Sequence, residues 1–130
     1  YKLKDADTVI VTASSTAGTT KAVVDKLRKE GKKVGLLKIK LFRPFPYKEI
    51  GKALANVKAI AVLDRSESFG ANPPIYGEIK NTLFDANKKA KLQCCVFGLG
   101  GREIFESDIE NVYNEMLKNK FTDKKYIGLR

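Results

Sequence analysis

A chain of 130 residues with 25 Lys and Arg, 15 Asp and Glu and no histidine is sized for one domain that buries a core of its own. The missing imidazole removes the usual general base and the commonest metal ligand, and two cysteines without CxxC spacing make neither an iron–sulfur nor a zinc ligand set. No apolar run approaches the roughly 18 residues of a membrane span and no basic-then-apolar signal peptide opens the chain, so the expected location is cytoplasmic, away from membranes.

In chain order, strands and helices alternate. Residues 8–13, TVIVTA, form the continuous β-branched run of a strand buried on both faces of a parallel sheet. The run leads into SSTAG, where Ser15 or Thr16 is placed to cap a helix with Val23, Val24 and Leu27 as its stripe, closed by Gly31. A Walker loop fails here, because Gly18 is followed by Thr19, Thr20 and Lys21. The second strand is read over 34–41, with Leu37, Ile39 and Leu41 alternating with Lys38 and Lys40. Pro44 and Pro46 stop it and push Arg43 and Phe45 toward extended geometry, so Phe42 to Pro46 leaves the sheet as a stiff segment. Pro46 then starts a helix to Ala55, with Ile50, Ala53 and Leu54 on one face.

The third strand, 58–63, carries the apolar run AIAVL of a strand again buried on both faces, and Asp64, Arg65 and Ser66 stand where it leaves the sheet. SESFG, ending at Gly70, reads as a glycine-closed connector. Pro73 and Pro74 open a helix with Ile75, Tyr76, Ile79 and Leu83 at helical spacing, ending near Asn87. In the fourth strand, 92–97, the adjacent Cys94 and Cys95 point to opposite faces and are poorly placed to bond each other. Gly98, Gly100 and Gly101 follow, permitting close backbone approach. A dinucleotide fingerprint would need glycine where Glu103 stands. Ser107 and Glu110 read as a capping box for a helix with the stripe Ile109, Val112, Tyr113, Met116 and Leu117. The tail from 118 to 130 keeps Phe121, Tyr126, Ile127 and Leu129 and is expected to pack on this domain or on a partner.

The net charge of +10 raises the alternative of a stand-alone basic module that binds polyanions. Twenty of the 25 basic residues are Lys, scattered over helix faces and turns where a solvated surface is the simpler account, so nucleic acid is not the expected partner. Arg43, Arg65 and Arg102 differ: each stands beside a strand exit or turn, where a fixed guanidinium can bridge elements.

Three motifs in this order, SSTAGTTKAVVDKLRKEGKKVGLLKIKLFRPFP, VLDRSESFG at 62–70 and FGLGGREIF at 97–105, resemble the C-terminal part of the alpha subunit of pyruvate:ferredoxin (or flavodoxin) oxidoreductase. The resemblance runs from about Asp7 to Leu117. The fold it implies is that of the transketolase C-terminal domain. Residue pattern and resemblance together give a single three-layer αβα domain with a mostly parallel sheet: four parallel strands read directly and a short, antiparallel fifth implied, supplied by the tail near Tyr126 to Leu129 if by anything. Tyr1 in place of Met, and YKLKDAD as a link cut in mid-course, suggest a piece of a longer subunit.

The resemblance further implies a parent enzyme that uses thiamine diphosphate and Mg²⁺, iron–sulfur clusters and coenzyme A to decarboxylate pyruvate oxidatively to acetyl-CoA, passing electrons to ferredoxin or flavodoxin. An oxidoreductase for 2-oxoglutarate or branched 2-oxoacids is nearly as compatible. No catalytic, cofactor or metal residue is expected in this segment, whose implied role is to buttress the pyrimidine-binding domain of its subunit and the contacts with other subunits. In a parallel sheet the loops after the strands leave by one edge. Phe42, Arg43, Pro44, Phe45, Pro46, Arg65, Ser66, Gly70, Gly98, Gly100, Gly101 and Arg102 therefore converge as the candidate interface.

Overall fold

The computed structural model describes residues 1–3, 5–12, 17–39, 47–65, 74–85, 90–97, 105–120 and 125–126. Strands β1 (Thr8–Thr12), β2 (Val34–Lys38), β3 (Ala59–Arg65), β4 (Lys91–Phe97) and β5 (Lys125–Tyr126) alternate with helices α1 (Ala17–Lys29), α2 (Tyr47–Ala53), α3 (Pro74–Asp85) and α4 (Glu106–Leu117). The sheet runs β2-β1-β3-β4-β5, and every pairing is parallel, as with Thr8 opposite both Val34 and Ala59 and Ala59 opposite Lys91.

The two-sided burial of β1 and of residues 59–63 in β3 follows from the continuous runs TVIVT and AIAVL. One face packs Ile10, Leu36, Ala61 and Leu63 against Val23, Val24 and Leu27 of α1 and Ile109, Val112, Tyr113 and Met116 of α4. The other packs Val9, Val11, Ile60 and Val62 against Ile50 and Leu54 beside α2 and Ile79 and Leu83 of α3. Helices on both faces of a parallel sheet make the three-layer αβα domain expected from the sequence. Cys94 and Cys95 are buried with no disulfide between them, as adjacent strand residues pointing to opposite faces should be.

Gly31 ends α1 at φ 82°, with Gly31 N–H donating to the Arg28 carbonyl at 3.0 Å and Lys32 N–H to that of Leu27 at 3.1 Å. This is a Schellman closure, which needs the left-handed backbone that glycine adopts most cheaply.

Several boundaries differ from the sequence reading. The fifth strand does come from the tail but runs parallel to β4, with Cys95 opposite Lys125. The cause is topological: α4 crosses over between β4 and β5 and brings the chain back in the same direction, as every other helix here does. Strand β2 stops at Lys38 rather than Leu41, while Ile39 stays tied to β1 through its N–H to the Thr12 carbonyl at 2.9 Å. Strand β3 continues through Asp64 and Arg65, which pair with Val96 and Phe97 instead of leaving the sheet. Helix α4 is closed by Asp108, whose carboxylate accepts the Phe105 N–H at 2.9 Å, in place of a Ser107–Glu110 box. Its stripe stops at Met116, for Leu117 is 41% exposed. The expected caps at Ser15 and Thr16 lie outside the described residues.

Candidate interdomain interface at the carboxyl edge

Because the strands are parallel, β1, β2, β3 and β4 all point their carboxyl ends to one edge, and α1, α2, α3 and α4 all begin there. The strand order β2-β1-β3 places a reversal of winding between β1 and β3. In open α/β sheets that crevice is where ligands and partners gather. Thr12 and Arg65 stand on its two sides as the last residues of β1 and β3. The connections flanking it are the ones that the sequence makes rich in Ser, Gly and aromatic residues.

Of the twelve candidate residues, Arg65 is placed by its backbone, in register with Phe97 at the end of β4. Phe42, Arg43, Pro44, Phe45, Pro46, Ser66, Gly70, Gly98, Gly100, Gly101 and Arg102 lie outside the described residues. Phe105, which the sequence reading passed over, sits at this edge as the N-cap of α4 with 49% of its surface exposed. An apolar ring at a cap position makes no side-chain hydrogen bond to its helix. A Phe standing where Ser, Thr, Asp or Asn is preferred is the signal that could have marked it. Glu106 and Asp108 in the first turn complement the positive end of the α4 dipole.

A second feature that the sequence reading missed lies on the β2 margin. The first residues do not trail away: Tyr1 and Leu36 exchange both backbone hydrogen bonds, at 2.6 and 2.9 Å, the pattern of an antiparallel pair. Arg28 fastens this strap from α1. Its Nε donates to the Val34 carbonyl at 2.9 Å, its Nη2 to the Lys2 carbonyl at 2.7 Å, and its Nη1 lies 2.8 Å from Asp5 Oδ1. The guanidinium hydrogen bond holds the Asp5 carboxyl below its usual range. Beneath the strap a Cβ on Gly35 would lie 2.9 Å from the Lys2 carbonyl oxygen and 3.1 Å from Ala6 Cβ. Glycine inside a strand here marks close backbone approach.

From the opposite side the buried Tyr113 hydroxyl donates to the Gly35 carbonyl at 2.6 Å, and burial pushes its phenol well above the ordinary value. Lys26 and Glu110 clamp α1 to α4 at 3.0 Å.

Among the described residues no three His, Cys, Asp or Glu side chains gather to hold a metal ion, and both thiols are buried within β4. The described residues therefore offer no thiolate set for an iron–sulfur cluster. What the carboxyl edge can do is present strand ends, helix starts and an exposed aromatic ring to another surface.

The sequence profile described as pyruvate:ferredoxin oxidoreductase core domain II matches residues 6–109. The chain belongs to this family. The PorA subunit of pyruvate synthase from Thermotoga maritima is 41% identical over 132 residues, covering all of this chain and 34% of that subunit. The VorA subunit of ketoisovalerate oxidoreductase from Pyrococcus furiosus is 41% identical over 116 residues, covering 89% of this chain and 29% of its own. This core domain II chain thus spans about a third of the length of the curated relatives it matches. Among solved structures, a 2-oxoglutarate:ferredoxin oxidoreductase from Magnetococcus marinus with 2-oxoglutarate, coenzyme A and succinyl-CoA bound aligns over 91% of this chain and 18% of that one, with a TM-score of 0.61 and 22% identity. At that identity the likeness shows the shared fold.

Proposed function

We propose that this core domain II is a non-catalytic interface domain in the alpha subunit of a cytoplasmic, thiamine-diphosphate-dependent 2-oxoacid:ferredoxin oxidoreductase of the pyruvate synthase type. In this reading the assembled enzyme decarboxylates pyruvate oxidatively to acetyl-CoA and passes electrons to ferredoxin or flavodoxin. The observation that carries it is the match, over the whole of this chain, to the pyruvate synthase subunit PorA. In this reading the diphosphate, Mg²⁺ and iron–sulfur sites belong to other parts of that enzyme.

The domain's own contribution is mechanical. A sheet packed on both faces makes a rigid block, and its carboxyl edge supports the pyrimidine-binding domain and the neighbouring subunits. Arg65, Phe105 and the glycine- and proline-rich connections supply the contacts, of the Arg and aromatic kind that interfaces favour. The similar VorA relative keeps a branched 2-oxoacid as the second reading.

The test is to purify the intact enzyme and follow coenzyme-A-dependent reduction of a ferredoxin with pyruvate, 2-oxoisovalerate and 2-oxoglutarate. Pyruvate is expected to give the highest kcat/KM. A preference for 2-oxoisovalerate would move the assignment to the ketoisovalerate type, and turnover of none of the three would refute the reading. Titrating the 130-residue chain with thiamine diphosphate and Mg²⁺ in a calorimeter is expected to give no saturable heat.

A further inference from the structure

We draw no further inference here: the strongest candidate, the surface patch on α3 where Phe84 is 84% exposed and a Cβ on Gly77 would meet nothing within 4 Å, carries no proposal because nothing in the structure shows what covers it.

Discussion

Along β2 the domain closes on itself, whereas at the carboxyl edge it opens outward. The β2 margin is bolted from three directions: the Tyr1 strap from outside, Arg28 from α1 and the Tyr113 hydroxyl from α4. Each bolt ends on a backbone carbonyl, so the bare edge that a parallel sheet would otherwise expose is covered by the chain's own residues. At the carboxyl edge the described residues show strand ends in register and an exposed Phe105, which the proposed function sets against another surface. The difference teaches where to look for each kind of defect. Damage to the margin should register in this chain alone, and damage to the edge only in the assembled enzyme.

The largest effect is expected from Gly35→Ala. The new Cβ would meet the Lys2 carbonyl oxygen at 2.9 Å, a backbone atom that can move only with the strap. Overpacking of this kind costs about 1–3 kcal/mol, to be read as a lower urea midpoint with unchanged slope. An unaltered midpoint would mean that the strap does not lie on β2.

Tyr113→Phe comes next. Losing the buried bond to the Gly35 carbonyl costs about 1 kcal/mol, and the substitution also changes the alkaline limb. In the folded chain burial raises the phenol above its ordinary 10.0, so the tyrosine's contribution is whole below pH 10 and is lost as pH rises beyond it, where the unfolded chain releases its proton first. Wild type should therefore lose stability more steeply than the Phe variant above pH 10. Parallel alkaline limbs would argue against a buried hydroxyl.

A smaller loss, about 0.5–1 kcal/mol, is expected from Arg28→Ala, because its hydrogen bonds reach carbonyls at the partly wet margin. Arg28→Lys should recover little of it, since an ammonium cannot reproduce the fork that reaches Val34, Lys2 and Asp5 together. The lowered Asp5 carboxyl adds a sign: its share of stability is present above its unfolded pKa and fades as pH falls through the folded one. The gap between wild type and Arg28→Ala should therefore narrow in acid.

The body of the fold was legible because its signals are local. The β-branched run TVIVT became β1, the apolar run AIAVL became most of β3, and the stripe Ile109, Val112, Tyr113 and Met116 became the buried face of α4. What escaped depends on distant partners. The alternation of 34–41 continued past the point where pairing with β1 ends, so periodicity alone overran β2. The direction of β5 is set by the α4 crossover rather than by its own residues. The α4 cap moved because an Asp at the third helical position can close a helix without help from the residue before it. Gly35 was a readable sign of the strap, being the one glycine within a strand run. The parallel register puts Arg65 and Phe97, the last residues of β3 and β4, at one edge, while the connections read as the candidate edge lie outside the described residues.

The central claim is that this edge serves assembly and not the domain's own stability, and Arg65→Ala tests it most directly. Subunit dissociation of the intact enzyme and thermal melting of the 130-residue chain would be measured side by side for this substitution. The account predicts an enzyme that dissociates at a higher protein concentration than wild type, with the melting of the isolated chain unchanged. Equal destabilisation of chain and enzyme would contradict it, for Arg65 would then be satisfying groups inside its own domain.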